Sequence, residues 1–389
     1  MSGDARPTDG AGANDATGPA PGRGAWAALA KPLAAAALAL GALAIGAAVE
    51  RAVVRRARSV PDPSAGDPLA ERPGANRMVA SFDGTRLAVA QIGPGATETA
   101  GRRGGSRTSE PTLVFLHGFS LDVAAWHYQW THFSERYRCV LYDARGHGDS
   151  ERAASGDYSV EALGRDLLAV MDAACGDAPA VLIGHSMGGM TILSLAAVRP
   201  EAFGDRIAGV VLADTAASDV VQEGAGGMLA RLEAALRPSV RALAGDRARA
   251  ERVRTLAAAR RADLAFLVAR ATNFAPGAPP SLVDHVVRAA LAADVEIWPK
   301  LLPGLVAVDL RPALRDVRVP ALVVAGARDR MTSSRSAVAL AGDLPDARAV
   351  ILDGAGHAAP LEQPAAFNDE VGRFLDGLAQ RRGARRRAG

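Results

Sequence analysis

Ser186 lies in a pattern that could make a serine hydroxyl reactive. The stretch from Gly184 to Gly188 reads Gly-His-Ser-Met-Gly, and it stands between an apolar run at 181–183 and a predicted helical stretch from Met190 to Val198. A nucleophilic serine needs a tight turn from a strand into a helix, and glycines two positions away on each side let the backbone pass closely. The N-terminus of the helix also turns free amides towards developing negative charge. The spacing therefore predicts that Ser186 is a nucleophile.

A serine hydroxyl needs a general base, and the chain offers seven histidines. His357 lies in a glycine-rich loop after the last apolar run and before the last predicted helix, where its side chain can reach the edge of a sheet. This position favours His357 as the base. His185 adjoins Ser186 and is expected to point away from it. Three others, which fall in predicted helices, are expected to be structural or to face substrate: His127, His132 and His285.

The imidazole in turn needs a carboxylate that fixes its tautomer and stabilises its charged form. Asp329 follows an apolar run and precedes His357, which gives the chain order Ser, Asp, His. Asp214 follows the preceding apolar run and competes for the same role, because that strand end also reaches the edge near the histidine loop. Asp309 lies before its strand, at the opposite end of the sheet. We favour Asp329 and keep Asp214 as the alternative.

Attack on a carbonyl also requires two amide donors for the negatively charged oxygen. The amide of Met187, the residue after the nucleophile, supplies one by its position. The turn His117-Gly118-Phe119, which follows the apolar run ending at Leu116, supplies the other from the Phe119 amide.

The elements that must carry these residues follow from short apolar runs that alternate with longer helical stretches. Runs that are apolar throughout are typical of strands buried on both faces, and alternation with helices predicts a parallel sheet with right-handed crossovers. A hairpin precedes it, because Asp83-Gly84 favours a tight turn. The predicted helices are Val160 to Ala174, Met187 to Val198, Arg335 to Gly342 and Ala365 to Gln380. The predicted strands are Met78 to Phe82, Arg86 to Ile92, Thr112 to Leu116, Arg138 to Tyr142, Ala180 to Ile183, Ile207 to Ala213, Ala321 to Ala325 and Ala349 to Leu352.

The N-terminal region differs in composition from the rest. The stretch from Leu33 to Val49 carries no charged residue and is just long enough to span a bilayer as a helix, so we interpret it as a membrane anchor. A signal-peptide apolar region or an alanine-rich soluble helix are the alternatives. The arginines between Arg51 and Arg58 favour a cytoplasmic position for the C-terminal side. In order, the chain is expected to contain a disordered tail (1–24), an anchor with a basic flank (25–58), a linker (59–76), the folded domain (77–380) with a helical cap inserted at 216–310, and a basic tail (381–389).

Composition excludes several classes of protein. With 49% hydrophobic and 22% charged residues, the chain is not globally disordered. Its net charge is only +3, and its basic runs contain no interleaved aromatic residues, so we expect no nucleic-acid partner. The two cysteines, Cys139 and Cys175, belong to no metal-binding pattern, so neither a metal nor a cofactor is expected.

These motifs resemble the α/β-hydrolase superfamily, in its single-domain branch with a helical cap. The resemblance covers roughly residues 77–380 and implies an α/β-hydrolase fold: a mostly parallel eight-stranded sheet with helices on both faces and a cap. In this family the stretch from Asp143 to Ser150, Asp-Ala-Arg-Gly-His-Gly-Asp-Ser, is chiefly structural and supports the loop near the nucleophile. Substrate choice lies mainly in the cap, where the candidate pocket walls are Met228, Phe266, Phe274 and Trp298.

The resemblance implies an esterase or lipase that cleaves carboxylic esters, including lipid-derived esters, through an acyl-enzyme on Ser186. Epoxide hydrolases and haloalkane dehalogenases of the same branch use an aspartate nucleophile, which Ser186 excludes. Acyltransferases and cofactor-free perhydrolases share the Ser186, His357 and Asp329 set, so acyl transfer or perhydrolysis is the alternative. A ligand-binding protein that has lost turnover is the third hypothesis.

Overall fold

The computed structural model describes residues 50–96, 110–176, 178–218, 262–294 and 296–388. The chain divides into two compact units, Met1–Arg55 and Arg56–Gly389. Within the first unit the described residues, 50–55, are helical. The second unit carries a sheet, its flanking helices and all the candidate site residues.

An eight-stranded sheet runs through the second unit. Its strands are β1 (Arg77–Ala80), β2 (Arg86–Ile92), β3 (Thr112–Leu116), β4 (Cys139–Tyr142), β5 (Ala180–His185), β6 (Ile207–Ala213), β7 (Ala321–Gly326) and β8 (Ala347–Leu352). They lie in the order β1-β2-β4-β3-β5-β6-β7-β8. The pairs of β2 with β1 and with β4 are antiparallel, and every other pair is parallel. The mostly parallel sheet expected from the sequence is confirmed.

Helices cover both faces of this sheet. They are α1 (His127–Phe133), α2 (Val160–Ala174), α3 (Met187–Val198), α4 (Ala202–Asp205), α5 (residues 262–273), α6 (Pro280–Ala292), α7 (Trp298–Ala307), α8 (Ser334–Asp343), α9 (Ala359–Glu362) and α10 (Pro364–Ala388). On one face α2, α3 and α8 bury strand residues such as Val114, and on the other α1 and α10 bury their neighbours, such as Phe115. Alternate residues of one strand thus enter different cores, which explains why the central strands β3 to β7 are apolar along almost their whole length.

Parallel pairing brings the carboxyl ends of the central strands to one edge of the sheet. Gly184 of β5 pairs with Leu212 of β6, and Gly326 of β7 pairs with Leu352 of β8. The segments that follow β5, β6, β7 and β8 therefore meet at this edge, which is where a parallel α/β sheet places its ligands.

Helices α5, α6 and α7 lie in the segment predicted as a cap. Phe266 of α5 and Val283 of α6 are fully buried, and they share an apolar cluster with Leu121, which follows β3, and Leu361 of α9. These helices cover that edge. The preceding residues 219–261 of the predicted cap, Met228 among them, lie outside the described residues.

Residues 59–76, predicted as a linker, pack against the cap. Arg58 donates two hydrogen bonds to Asp284 of α6, at 2.5 and 2.8 Å. Asp62 accepts from both the amide and the hydroxyl of Ser281, at 2.8 and 2.6 Å, and so caps the first turn of α6. We call residues 56–76 the strap.

The strap also reaches the core beside the sheet. Asp67 accepts a hydrogen bond of 2.5 Å from the Tyr128 hydroxyl, and Leu69 is buried in the cap cluster. Arg72 forms an ion pair of 2.6 Å with the buried Asp143. Because of these contacts the compact unit starts at Arg56, some twenty residues before the start predicted from strand patterning.

The C-terminal helix is longer than predicted. It continues to Ala388 through the residues expected to form a basic tail, and Arg381 pairs with Asp346 at 2.5 Å. Alanine and arginine are strong helix formers, so charge alone does not end a helix here. The two cysteines are free and buried, and burial raises the pKa of each thiol to about 12.

Within the parts of the chain that the structure describes, no helix combines the length and the apolar character needed to cross a bilayer. The predicted tail 1–24 and the apolar segment 33–49 lie outside those parts, as do residues 97–109.

Candidate active site

Ser186 lies on a strained turn between β5 and α3. Its φ of 51° and ψ of −114° fall in a region that residues with a side chain rarely adopt. The turn is held from β6: the Ser186 amide donates to the Ala213 carbonyl at 2.9 Å, and the Ser186 carbonyl accepts from the Thr215 hydroxyl at 2.8 Å. These bonds fix the direction of the Ser186 side chain.

The start of α3 packs directly on the end of β3. A Cβ at Gly188 would lie only 2.2 Å from the Leu116 carbonyl oxygen, so no larger residue fits there. This close approach brings Met187, the first residue of α3, beside the turn that follows β3 and contains Phe119. The two predicted amide donors thus come from adjoining pieces of backbone.

His357 lies in the loop after β8 and reaches Ser186 across the sheet edge. Its Nε2 is 3.0 Å from the Ser186 Oγ, and its Nδ1 is 2.9 Å from Oδ2 of Asp329. His357 is buried, with 3% of its surface exposed. Since a carboxylate accepts from Nδ1–H, Nε2 of the neutral ring is left as the acceptor for the serine proton.

Asp329 lies in the loop after β7 and is surrounded by donors. Its Oδ1 accepts from the amides of Met331 and Thr332 at 2.7 and 3.0 Å, and its Oδ2 accepts from the Thr332 hydroxyl at 2.7 Å. Burial acts to raise the pKa of Asp329, but the charge of His357 and the hydrogen bonds from His357 and Thr332 outweigh it and lower the pKa below its ordinary value. The carboxylate is therefore ionised beside the imidazole.

Asp214, the alternative acid, makes different contacts. It follows β6 with a positive φ of 43° and is completely buried. Its Oδ1 accepts from the Gly326 amide at 2.9 Å and its Oδ2 from the Ala359 amide at 3.0 Å. Burial, followed by the charge of Asp329, raises the pKa of Asp214 well above its ordinary value. Asp214 thus ties the end of β7 to the histidine loop through backbone amides.

His185, expected to point away from Ser186, lies against the backbone of His357. Its Nε2 donates to the His357 carbonyl at 2.7 Å, and it stands 3.9 Å from Oδ2 of Asp214. Burial, reinforced by the nearby His357, lowers the pKa of His185 to about 3. A neutral His185, at the end of β5, therefore supports the backbone of the histidine loop.

The turn that carries Phe119 is held by two further histidines. Nε2 of His117 accepts from the Ala144 amide at 3.0 Å, and Nε2 of His147 accepts from the Ser120 amide at 3.2 Å. Ser120 itself has a positive φ of 57°. Burial lowers the pKa of His147 to about 3, which keeps Nε2 free of a proton and able to accept.

The stretch from Asp143 to Ser150 also supports this turn. Oδ1 of Asp143 accepts from the Val123 amide at 3.0 Å, and Oδ2 accepts from the Asp149 amide at 2.8 Å. The same Oδ2 also accepts a hydrogen bond of 2.6 Å from Arg72 of the strap. The strap is therefore connected, through one buried carboxylate, to the turn beside Ser186.

The cap touches the same turn through aromatic rings. Phe119 packs edge to face on Trp298 of α7, with ring centroids 4.8 Å apart. Phe266 and Phe274, two other predicted pocket walls, are buried in the cluster between cap and core. Of the three described aromatic candidates, Trp298 is the one in ring contact with the turn.

Sequence patterns alone missed two polar residues of this region. Thr332 donates to the same oxygen of Asp329 as His357 does, and Glu362 accepts from the Gly356 amide at 2.7 Å, next to His357. A threonine three residues after the acid and a glutamate five residues after the histidine carry no distinctive pattern, so only the folded arrangement identifies them.

Comparison with known proteins places this geometry among hydrolases. The family model described as alpha/beta hydrolase fold matches residues 111–364. The 3-oxoadipate enol-lactonase 2 of Acinetobacter baylyi is 29% identical over 270 residues, which cover 68% of this chain and 88% of that protein. The pimeloyl-[acyl-carrier protein] methyl ester esterase of Aeromonas hydrophila is 28% identical over 268 residues, 68% of this chain and 95% of that protein. The crystal structure of the enol-lactonase from Burkholderia xenovorans LB400 superposes with a TM-score of 0.56 and 28% identity, covering 77% of this chain and all of that one.

Proposed function

The chain belongs to the α/β-hydrolase fold family, and from this premise we propose that it is a serine hydrolase that cleaves carboxylic esters through an acyl-enzyme. Ser186 is the nucleophile, His357 the general base and acid, and Asp329 the residue that orients His357. The amides of Phe119 and Met187 hold the negatively charged oxygen of the tetrahedral intermediate.

One observation carries this proposal: the continuous hydrogen-bonded chain from Asp329 through His357 to Ser186. Its two links measure 2.9 and 3.0 Å, both within the range for proton transfer. Each of the three side chains follows a different strand of the same sheet edge. Such an arrangement activates a hydroxyl that is otherwise a poor nucleophile.

In the acylation half of the reaction, the Ser186 Oγ forms a bond with the ester carbonyl carbon while its proton moves to Nε2 of His357. Asp329 stabilises the resulting imidazolium without taking up a proton. The intermediate collapses when His357 returns the proton to the departing alkoxide oxygen, so that an alcohol leaves and the acyl group stays on Ser186.

In the second half, water replaces the alcohol. His357 takes a proton from water, the hydroxide oxygen bonds to the acyl carbon, and His357 then protonates the Ser186 Oγ as the carboxylic acid departs. The strained turn keeps Oγ in one place throughout, so little reorganisation is needed between the two halves.

The related proteins support an ester as the substrate class. A lactone and a methyl ester, named for the two relatives described above, are both carboxylic esters. These relatives match most of their own length to this chain. We propose carboxylesterase chemistry, with acyl and alcohol preference set by the cap.

The proposal is tested by covalent labelling. A fluorophosphonate probe is expected to modify Ser186, as mapped by peptide mass spectrometry, and to abolish hydrolysis of p-nitrophenyl acetate in proportion to labelling. Ser186→Ala is expected to lower kcat by at least about 10³-fold. Ser59→Ala, whose hydroxyl donates to the Arg56 carbonyl in an exposed turn, is the matched control and should keep full activity. Active protein whose label lies elsewhere would refute the assignment.

We also propose that the apolar segment at 33–49 anchors the enzyme in a membrane, with the folded part on the cytoplasmic side. The absence of charge in the segment and the arginines that follow it support this. Tagged full-length protein is expected in the membrane pellet after alkaline extraction, with its C-terminus protected from external protease in intact cells. Recovery in the alkaline supernatant would contradict anchoring.

A further inference from the structure

The backbone around His357 is bonded on two sides. From the sheet side, His185 donates to the His357 carbonyl at 2.7 Å and Asp214 accepts from the Ala359 amide at 3.0 Å. From the cap side, the Ala358 amide donates to the Asn273 carbonyl at 3.0 Å. The loop that positions the general base is therefore hydrogen-bonded both to residues at the sheet edge and to the cap.

Glu362 completes the connection on the cap side. Its Oε1 accepts from the Gly356 amide at 2.7 Å, and its Oε2 accepts from the Ala275 amide at 2.8 Å. Gly356 immediately precedes His357, and Ala275 follows the end of cap helix α5. One carboxyl group thus spans the two backbone segments and bonds both.

The two segments also touch directly. A Cβ at Gly356 would lie 2.7 Å from the Ala275 amide nitrogen and 2.9 Å from the Asn273 carbonyl oxygen. Such close contact leaves no room for the cap turn to shift towards the histidine loop without moving it. The missing side chain at Gly356 is what allows Glu362 to reach both amides.

The end of α5 reaches the loop of Asp329 as well. Arg330, the residue after Asp329, donates to the Ala271 carbonyl at 3.0 Å. Residues 271–275, which we call the cap turn, therefore contact the loop of the base and the loop of the acid. Movement of the cap turn would act on both partners of Ser186.

Glu362 is partly buried, and its surroundings disfavour the ionised carboxylate. Burial raises the pKa of its carboxyl to about 7, with a contribution from Asp329, although amide donors at Ala275, Gly356 and Ala358 act in the opposite direction. A residue with only a packing role would not need a carboxyl group here.

We propose that Glu362 is a positioning residue: it ties the cap turn to the loop of His357, so that the general base is correctly placed only when the cap is seated. The inference rests on the proposed function, in which His357 transfers the proton of Ser186. Glu362 touches no reacting atom and acts through the backbone of Gly356. Coupling of this kind makes the rate of acylation depend on the position of the cap.

Two substitutions disrupt the connection that Glu362 makes between Gly356 and Ala275, one at Glu362 itself and one on the cap side. Glu362→Gln keeps the shape of the side chain but places an NH₂ group against one of the two amide donors, so one hydrogen bond is lost. Ala275→Pro removes the donor on the cap side and places a ring carbon against Oε2 of Glu362, so it breaks the connection from the cap side. Glu370→Gln is the matched control, because Glu370 pairs with Arg348 and Arg373 on the outer side of α10.

The measurement is kcat per active site, with sites counted by fluorophosphonate titration, together with KM for p-nitrophenyl acetate and the melting temperature. Both Glu362→Gln and Ala275→Pro are expected to lower kcat per titrated site by about 10- to 100-fold, as a displaced base does. KM for this small ester should change less than about threefold, and Glu370→Gln should match the wild type. Counting sites removes the effect of misfolded protein, which a purely structural role would produce.

Three outcomes would overturn the inference. They are an unchanged kcat per site in Glu362→Gln, a loss in Glu362→Gln that Ala275→Pro does not share, and an equal loss in Glu370→Gln. Failure of the proposed function looks different, since wild-type protein would then not be labelled at Ser186 at all.

Discussion

Two aspartates follow neighbouring strands at the same edge of the sheet, and their pKa values are shifted in opposite directions. Asp214 comes directly after β6, and Asp329 lies in the loop after β7. Both are buried, and both lie close to the loop of His357. By residue type and strand position either could orient the imidazole.

Their hydrogen-bond donors separate them. Asp329 receives the imidazole and a threonine hydroxyl in addition to two backbone amides, and its pKa is lowered. Asp214 receives two backbone amides and no solvent contact, and burial beside Asp329 raises its pKa. Two carboxylates this close cannot both hold a charge at low cost. The negative charge is therefore favoured on Asp329, beside the imidazole, while Asp214 accepts hydrogen bonds from backbone amides.

Replacing Asp329 should have the larger effect on the reaction. In Asp329→Asn the side chain no longer carries the charge that stabilises the imidazolium, and it can favour the wrong tautomer of His357. We expect kcat/KM for p-nitrophenyl acetate to fall by about 10³- to 10⁴-fold, while the fold is kept. A loss below tenfold would show that another carboxyl orients His357.

A substitution at Thr332 tests how much the lowered pKa of Asp329, and with it catalysis, depends on the hydroxyl donor. Thr332→Val removes the bond of 2.7 Å to Oδ2 of Asp329 but preserves the shape of the side chain and its backbone amide. We expect kcat to fall by about three- to tenfold, because a hydrogen bond to a charged group is lost. Thr131→Val, which removes a hydroxyl bonded within α1, provides the control.

Asp214 should instead matter for stability. Asp214→Asn places an NH₂ group against the amide of Gly326 or Ala359, which leaves one buried donor without an acceptor. We expect the free energy of unfolding, measured with urea, to fall by about 1–3 kcal/mol. The value of kcat per titrated site should stay within about threefold of wild type. A loss of turnover as large as that of Asp329→Asn would reverse the comparison.

The smallest expected effect is a difference in pH dependence. The pKa of Asp214 is raised above its ordinary 3.8, so its contribution to stability is complete below that value and is lost as the pH rises towards the raised pKa. The melting-temperature gap between wild type and Asp214→Asn should thus narrow as the pH is raised from about 4 towards neutral.

Asp329 provides the contrast. Its pKa is lowered from 3.8, so its contribution is complete above that value and is lost only as the pH falls through the lowered pKa. The gap for Asp329→Asn should therefore stay constant over the same range. A gap that narrows equally for both variants would mean that the two carboxyls share one environment.

Much of this arrangement is readable from sequence, because it depends on local patterns. The central strands β3 to β7 are apolar along almost their whole length, since both of their faces are buried, and the turn at Ser186 needs glycines at fixed distances. The order of Ser186, Asp329 and His357 along the chain then leaves few possible partners for the serine.

The remainder depends on contacts between distant residues that are individually unremarkable in sequence. Asp62 meets Ser281, more than two hundred positions away, and Glu362 meets Ala275 across the cap boundary. A proline-rich stretch reads as a linker, because nothing in its composition shows which carboxylate will cap a remote helix. Likewise, the raised pKa of Asp214 arises from burial next to Asp329, which exists only after the strands have paired.

The contacts of the strap determine the order in which a force on the N-terminal side would reach the cap and the sheet. A force applied to the chain at residue 56 would act first on cap helix α6, which Arg58 and Asp62 contact. It would act next, through Arg72, on Asp143 and the stretch that supports the turn of Phe119. Only beyond residue 76 does the load reach β1, an edge strand of the sheet. A pull from the N-terminal side would therefore load cap helix α6 before it strained the sheet.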